Sequence, residues 1–387
     1  MDFSYMLLIG SAAGIVYTLA GYPWLLTRRR RRTRGPAAKD LAFQTTVTVV
    51  MAVHNGESMI RQKLDTLLGL DYPAHLMDII VVSDGSTDRT EEIVAEFADQ
   101  RVRLLVVPRG GKAAALNHGL AAATGEVIFF TDVRQPLERS CLRHLVANFA
   151  DPAVGAVTGE MVLRRGDNGE QADMDLYWRY EIWARKRHSE IDSLFNTTGC
   201  IYAMRRSLTA PLPPDTLTDD AVMPLRAFFR GYRVIFDPAA IAYDYPAVPG
   251  TEFQRRFRTL AGLWQVHARF PELFTARNRM RFHFLSHKLT RLTLPWLLLL
   301  FLIATIALPP HSRLRAGLLI AAGFWMILSV ANGSVPPGWR IRRLTSPAQT
   351  FFVLNVAALC SVAVFFVPPT RLWKQTRVQT SAETPAA

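Results

Sequence analysis

Long apolar runs near both ends of the chain enclose a central block in which short apolar runs alternate with amphipathic stretches. The first run, residues 3–26, is near the roughly 20 residues that a helix needs to cross a bilayer. Three further runs follow the block, at residues 292–308, 316–330 and 351–367. We therefore expect one N-terminal transmembrane helix and about three C-terminal ones, although the shorter runs also suit buried or re-entrant helices.

The central block shows the alternation of strands and helices that is typical of parallel sheets. Four short apolar runs, at residues 47–53, 79–82, 102–107 and 127–130, have the length and composition of buried strands. Apolar residues at helical spacing separate them, which predicts an α/β fold with a doubly wound, mainly parallel sheet and helices on both faces. Farther along we expect strands at 154–161 and 233–236, and helices at 173–191, 218–230 and 252–270.

These patterns divide the chain into five parts. They are an N-terminal transmembrane anchor (1–27), a basic linker (28–44), a cytosolic domain ending in an interfacial helix (45–270), interfacial and transmembrane helices (271–370), and a disordered tail (371–387).

The formal net charge of +13 indicates an anionic partner, either nucleic acid or an acidic membrane surface. Residues 28–32 are consecutive arginines directly after the first apolar run, as in a juxtamembrane anchor, and no nucleic-acid-binding motif is found. We therefore expect a lipid bilayer and no nucleic acid as partner, with the N-terminus outside and the central domain in the cytosol. The three cysteines lack metal-ligand spacing, which favours a reducing compartment.

Acidic residues occupy positions where a parallel sheet binds ligands. Asp84 and Asp132 each follow a predicted strand, and the carboxyl ends of parallel strands form the binding edge of such folds. A third acidic position, the pair Asp219 and Asp220, begins a predicted helix. Three such carboxylates suit a nucleotide-sugar site, with one for the base, one for a diphosphate with its metal and one for proton transfer. Turn and helix-capping roles remain the alternative for each acid.

The order of these motifs resembles the inner-membrane glycosyltransferases of family 2, which include synthases of cellulose, hyaluronan, chitin oligomers and poly-N-acetylglucosamine. The resemblance covers about residues 46–265 and the layout of the apolar runs. It implies a GT-A-like domain of a multi-pass plasma-membrane enzyme that transfers the sugar with inversion of its anomeric configuration. The implied donor is a nucleotide-sugar, namely a UDP-sugar, and the implied acceptor is a hydroxyl of a membrane-associated glycan or lipid-linked molecule in exopolysaccharide or cell-envelope glycan synthesis.

The resemblance also implies roles for individual donor-site residues. In the segment 54–57, His54, Asn55 and Glu57 correspond to a donor-binding turn, with the glutamate displaced by one position. Asp84, in Asp-Gly-Ser, would accept a hydrogen bond from the uracil ring, because a carboxylate only accepts. Lys112 opens the segment 112–117, which resembles the family's Lys-x-x-Ala-Leu-Asn and would contact the diphosphate.

The metal motif of the family is incomplete in this chain. Asp132 matches the first acid of Asp-x-Asp, which binds a divalent cation, Mg²⁺ or Mn²⁺, on the diphosphate. The second acid is replaced by Arg134, which cannot ligate a cation. Either Asp132 holds the metal with the diphosphate and water, or Arg134 itself neutralises phosphate charge.

The acceptor side carries the predicted base. Asp220 matches the last acid of Thr-Glu-Asp, which deprotonates the acceptor, and Asp219 would raise its pKa by like-charge repulsion. In the family's Gln-x-x-Arg-Trp motif only Arg258 is kept, and Thr259 replaces the tryptophan, which argues against processive synthesis. Arg256 and Arg258 would contact the diphosphate, or they are interfacial arginines that extend towards headgroups.

Aromatic residues that would bind the acceptor sugar, Trp178 and Tyr202, complete the predicted site, although such residues also pack into cores. Two alternatives remain open. The protein is a processive synthase that also translocates its polymer, or it is a catalytically silent membrane scaffold.

Overall fold

A computed structural model describes residues 2–28, 37–165, 170–171, 176–245, 252–336 and 339–368. Most of the expected basic linker, at 29–36, and the expected disordered tail lie outside the described residues.

The described residues form eight strands and thirteen α-helices, joined by short 3₁₀ turns and two π-helical segments. The strands are β1 (Val47–Val53), β2 (Met77–Asp84), β3 (Val102–Val107), β4 (Val127–Phe130), β5 (Val154–Arg165), β6 (Glu170–Gln171), β7 (Tyr202–Arg205) and β8 (Arg233–Asp244). The helices of the domain are α3 (Glu57–Leu68), α4 (Thr90–Ala95), α5 (Lys112–Ala122), α6 (Cys141–Ala147), α7 (Leu176–Ile191), α8 (Asp219–Phe229) and α9 (Glu252–Arg269). The helices of the apolar segments are α1 (Phe3–Val16), α2 (Tyr22–Arg28), α10 (Arg281–His283), α11 (Thr290–Ala307), α12 (Arg313–Ala331) and α13 (Arg342–Cys360).

The sheet has the order β3-β2-β1-β4-β7-β5-β6, with β8 beside β5. Strands β1 to β4 are parallel to one another, as expected from the alternation of strands and helices. Strand β7 was not expected, because four residues give too little of an alternating pattern, and it runs antiparallel to both β4 and β5. The expected α/β sheet is confirmed, and this inserted strand makes it mixed.

Strand β8 is longer than expected because an irregularity accommodates its proline. The expected strand ended at Phe236, whereas the observed strand continues to Asp244. The register against β5 shifts after the pair Thr158–Phe236, and Pro238 lies in the extra residues of β8 before pairing resumes at Ile241. Proline is tolerated in sheets at such irregular positions because it donates no ladder hydrogen bond.

Both faces of the sheet are covered by helices. Alternate residues of β4 belong to different cores, with Ile128 and Phe130 on one face and Val127 and Phe129 on the other. This is the two-residue period of a strand buried on both sides. Helices α5 and α8 pack on the first face, and helices α3 and α6 pack on the second.

In the described part of the chain, four helical stretches are long and apolar enough to cross a membrane, at Phe3–Arg28, Arg281–Ala307, Arg313–Ser334 and Arg342–Phe365. The second stretch begins before the apolar run at 292–308, because residues 281–289 are also helical. A π-helical segment, Tyr17–Gly21, joins α1 to α2, and another, Phe284–Leu289, joins α10 to α11. The hydroxyls of Tyr17 and Ser286 are 2.6 Å apart, so the two segments are in direct contact.

Candidate active site

Asp84, at the end of β2, is buried beneath the loop that precedes α5. Its carboxylate accepts hydrogen bonds from the backbone N–H groups of Gly110, at 2.7 Å, and Gly111, at 3.0 Å, and from the guanidinium of Arg109. Gly85 has a φ of +60°, and a Cβ there would lie 2.9 Å from the Arg109 nitrogen, so the turn requires glycine. Asp84 therefore positions the glycine loop that leads to Lys112.

The turn after β1 packs against the turn after β2. His54 Nδ1 donates to the Asp84 carbonyl at 2.9 Å, and the Asn55 side-chain oxygen accepts from the Thr87 backbone N–H at 2.8 Å. The Glu57 carboxylate accepts from the Arg89 backbone N–H at 3.3 Å. The three residues predicted at this turn thus lie at the same sheet edge as Asp84, and each helps to hold the two turns together.

Lys112, the first residue of α5, joins two acids that are distant in sequence. Its Nζ lies 2.9 Å from Asp132 Oδ1 and 3.1 Å from Asp219 Oδ1. Burial alone would lower the pKa of Lys112, but the charges of Asp132 and Asp219 raise it above its ordinary value. Burial would raise the pKa of Asp132, yet the charge of Lys112 holds it below its ordinary value. The lysine is therefore a fixed cation between two carboxylates.

Asp219 and Asp220 begin α8, and the two carboxylates have different neighbours. Asp219 is buried and contacts Lys112, while Asp220 lines a cavity. Burial, and next the charge of Asp219, raise the pKa of Asp220 to about 7. A Cβ on Gly199 would lie 3.7 Å from the Asp220 carboxylate, so the segment before β7 approaches this acid closely. A carboxylate with such a pKa is suited to general base chemistry near neutral pH.

Arg256 and Arg258, the two arginines predicted to contact the diphosphate, are on α9 and lie near Asp220. Arg256 lines the cavity together with Asp220. Burial lowers the pKa of Arg258, while the charges of Asp132 and Asp220 oppose that shift. Thr259 also lines the cavity, at the position where the family's motif has tryptophan.

Arg134 pairs with an acidic residue that the sequence analysis did not single out. Its Nη2 lies 2.8 Å from Asp244 Oδ2, and the side-chain amide of Gln135 donates to the same oxygen at 3.1 Å. Asp244 is buried at the end of β8. The guanidinium is thus held by a carboxylate 110 residues away. Asp244 was missed, although it too ends an apolar strand.

Lys63 was also missed, and it supports the loop that carries Asp132. From α3, its buried Nζ donates to the Thr131 hydroxyl at 2.8 Å and to the Gln135 carbonyl at 2.6 Å. Burial lowers the pKa of Lys63 to about 8. The contacts hold both ends of the loop. Sequence could not indicate them, because helical spacing only predicts which face Lys63 is on.

The donor set suits a divalent cation only if substrate supplies most of the ligands. Among the described residues, no group of three or more His, Cys, Asp or Glu side chains could hold a metal. Asp132 is 37% exposed and can contribute a carboxylate oxygen. Mg²⁺ at nucleotide sites is commonly bound by one or two carboxylates plus substrate phosphates, so Asp132 fits this kind of site.

The two predicted aromatic residues have different surroundings. The ring of Tyr202 is buried and stacked on Phe130 with the centroids 4.5 Å apart, so it offers no face to a sugar, which corrects that expectation. Its hydroxyl instead donates to Asp219 at 3.4 Å. Trp178 does line the cavity. Tyr202 is therefore a support for the acid pair, and Trp178 remains a candidate for acceptor contact.

The cavity has a volume of about 850 Å³ and extends from Asp220 into the space between the domain and the apolar helices. Asp220, whose pKa is raised, lies at one end of this largely apolar cavity. The cluster of Lys112, Asp132 and Asp219 lies beside it. Open α/β sheets bind ligands outside the carboxyl ends of their strands, and Asp132 follows β4 at this edge.

Comparison with known proteins shows what the domain is similar to. Residues 48–211 match the model described as Glycosyl transferase family 2. A Bacillus subtilis protein named probable glycosyltransferase YdaM is 30% identical over 254 residues, which cover 62% of this chain and 60% of that protein. The poly-beta-1,6-N-acetyl-D-glucosamine synthase of Staphylococcus aureus is 25% identical over 233 residues, which cover 58% of this chain and 54% of the synthase. The chain therefore carries a family 2 glycosyltransferase domain, and it spans little more than half the length of these relatives.

The fold is also similar to that of a solved mannosyltransferase, PcManGT from Pyrobaculum calidifontis, in complex with GDP-Man and Mn²⁺. The TM-score is 0.75 at 24% identity, and the match covers 94% of this chain and 99% of the mannosyltransferase. The likeness therefore includes the apolar helices as well as the domain, and the expected GT-A-like fold is confirmed.

The raised pKa of Asp220 predicts how activity depends on pH. Because a base acts only when deprotonated, kcat/KM for sugar transfer should rise with pH through an apparent pKa near 7. Asp219→Asn removes the like charge and should move this rise to lower pH. The exposed Asp71, which pairs with Arg143 at the surface, supplies the control Asp71→Asn, whose profile should be unchanged. A profile that is identical in Asp219→Asn and the wild type would contradict the assignment.

Proposed function

We propose that the protein is an inverting glycosyltransferase that moves a sugar from a UDP-sugar to a hydroxyl of a membrane-associated glycan or lipid-linked acceptor. The reaction would serve exopolysaccharide or cell-envelope glycan synthesis. One observation carries the proposal: Asp220, an acid of raised pKa, lines the cavity, while its neighbour Asp219 contacts the Lys112–Asp132 cluster. The proposed base, Asp220, and the cation proposed to bind the diphosphate, Lys112, are therefore close to each other.

The roles follow from the chemistry of each group. Asp220 removes the proton of the attacking hydroxyl, and Asp219 keeps the pKa of that base near neutrality. Lys112 supplies positive charge to the leaving diphosphate, and Arg256 and Arg258 approach from α9. The turns that contain His54, Asn55, Glu57 and Asp84 hold the nucleoside. Of the predicted aromatic residues, Trp178 contacts the acceptor.

The choice of donor rests on the family and remains the most specific part of the proposal. Resemblance to sugar-polymer synthases and the named N-acetylglucosamine relative support a UDP-sugar. The mannosyltransferase of similar fold was solved with GDP-Man, so a guanine nucleotide is the competing donor. UDP-sugars and GDP-mannose, offered in parallel to the purified protein, distinguish these alternatives by the nucleotide that is released.

A divalent cation, Mg²⁺ or Mn²⁺, would be held by Asp132 and the donor diphosphate, where it would neutralise charge on the leaving group. Lys63 and Thr131 support the loop that presents Asp132 to this position. Arg134, paired with Asp244, leaves Asp132 as the carboxylate that the motif provides.

The protein would lie in the plasma membrane as a multi-pass protein with its catalytic domain in the cytosol. Four helical stretches among the described residues have the length and composition to cross a bilayer. The arginines from position 28 follow the first of them, and basic residues favour the cytosolic side.

Replacing the proposed base tests the reaction most directly. Asp220→Asn is nearly isosteric, so the fold and donor binding should persist while turnover falls by roughly 10²-fold or more. Asp219→Asn serves as the matched comparison, and it should retain more activity with a shifted pH profile. Nucleotide release with donor and acceptor measures both. Near-wild-type turnover in Asp220→Asn would transfer the role to Asp219, and no turnover in the wild type with any donor would favour a silent scaffold.

Metal removal tests the role of Asp132. Activity should require roughly millimolar Mg²⁺ or Mn²⁺ and disappear with chelator, because one protein carboxylate binds the cation weakly without substrate phosphate. Mn²⁺ binding in the presence of UDP, followed by electron paramagnetic resonance, should weaken in Asp132→Asn but not in Asp71→Asn. Full activity in excess chelator would refute the need for a metal.

Reporter fusions test the orientation. A reporter that is active only in the cytosol should be active when fused after Arg34, because the arginine block follows the first apolar helix. The same reporter placed before Phe3 should be inactive. The opposite pattern would place the domain outside the cell, away from cytosolic nucleotide-sugars.

A further inference from the structure

The cavity that begins at Asp220 continues along an apolar wall of the helices next to the domain. One face of α13 contributes residues at helical spacing, including Thr350, Phe351, Leu354 and Ala358. From Pro347 to Ala358 this stripe runs about 16 Å along the axis, at 1.5 Å per residue. That is roughly half of the ~30 Å hydrocarbon core of a bilayer. The wall is therefore long enough to hold a hydrocarbon chain.

A group of charged side chains lines the cavity where the apolar wall meets the domain. The carboxylate of Glu181, on α7, accepts from Lys288 at 2.9 Å and from Arg291 at 2.5 Å, and Arg185 lies 4.0 Å away. Among the described lining residues, cations outnumber carboxylates by five to two. Positive charge beside an apolar space is complementary to an anionic group attached to a hydrocarbon chain.

Two buried donors of the same wall have no hydrogen-bond partner among the described residues. They are the indole N–H of Trp178 and the hydroxyl of Thr218, and both residues line the cavity between α7 and Asp220. Buried polar atoms are normally hydrogen-bonded, so each is a donor available to a bound oxygen atom.

Both π-helical segments border this cavity. Thr18 and Leu19 come from the first, and Phe284 and Lys288 come from the second. Such segments are rare in helices and are frequent at functional sites, because the extra residue re-aims the side chains of one turn. Here the second segment carries Lys288, which contacts Glu181.

The chemistry of the wall distinguishes a lipid from a glycan as occupant. A glycan chain would bury many hydroxyls, each of which costs free energy unless it is hydrogen-bonded. Leucine, phenylalanine, valine and alanine side chains make up much of the lining. A hydrocarbon chain loses no hydrogen bonds there and gains from burial.

We propose that the cavity holds the hydrocarbon chain of a lipid phosphate, whose phosphate lies against Lys288 and Arg291 and whose attached sugar presents its hydroxyl to Asp220. The proposal rests on the proposed function for the identity of this lipid as the acceptor. The lipid site itself rests on the cavity and its charges.

The experiment measures binding without turnover, so that loss of transferase activity does not affect its result. Purified full-length protein is titrated with hexadecyl phosphate, hexadecanol and butyl phosphate, and bound ligand is measured by native mass spectrometry. Hexadecyl phosphate should bind at least about tenfold more tightly than hexadecanol, because a charge-assisted hydrogen bond contributes about that factor. It should also bind more tightly than butyl phosphate, because its longer chain buries more apolar surface. Equal binding of hexadecyl phosphate and hexadecanol would overturn the phosphate site.

Matched variants locate the two parts of the site. Lys288→Gln should weaken hexadecyl phosphate binding about tenfold, whereas Arg281→Gln, an exposed cation on the same apolar stretch, should change it by less than about twofold. Thr350→Trp fills the cavity and should abolish binding, whereas Phe352→Trp, on the same helix outside the cavity, should not. Equal effects within either pair would overturn the location.

A photoactivatable hexadecyl phosphate keeps the proposal testable if a variant fails to fold. In the wild-type protein it should label peptides of α9 and α13, and excess unlabelled hexadecyl phosphate should prevent labelling. Labelling confined to other segments would overturn the proposal, as would protection by an oligosaccharide in place of the lipid. Lipid binding without any glycosyl transfer would refute the proposed function and leave the lipid site standing.

Discussion

The ammonium of Lys112 is the interaction on which the arrangement of the site depends. It lies within 3.1 Å of carboxylates from the β4 end and from the start of α8, which are otherwise separate parts of the fold. Without the cation, Asp132, Asp219 and Asp220 would place like charges in a poorly solvated space, which is costly. The same contacts determine the proton chemistry, because Asp219 pairs with Lys112 while Asp220 is left with a raised pKa.

Supporting residues outside this cluster hold the loops that carry its members. Lys63 holds the two ends of the Asp132 loop, and Asp244 pairs with Arg134 in that loop. Asp84 holds the glycine loop that ends at Lys112. Each support comes from a different strand or helix, so the positions of the reacting groups follow from the packing of the whole sheet.

The domain and the apolar helices share one set of contacts. Tyr22, within the first apolar stretch, lies with its hydroxyl 2.6 Å from His188 of α7 and 3.1 Å from His283 of the second stretch. Helix α7 also carries Trp178 and Glu181, which line the cavity. The cavity that begins at Asp220 is therefore built jointly by the domain and by helices suited to a bilayer, and this supports the proposed membrane-associated acceptor.

The sequence by itself determined the α/β class, the apolar helices and the acids at the strand ends. These features are local, because strand and helix periodicity predict the elements and parallel strands end at one edge. Only the tertiary structure decided that β7 enters the sheet antiparallel, that the Tyr202 ring is buried on Phe130, and that Arg134 pairs with Asp244. It also revealed Lys63 and the cavity. The partners in these contacts are far apart in the chain, and their pairing depends on how the elements pack, which no local pattern encodes.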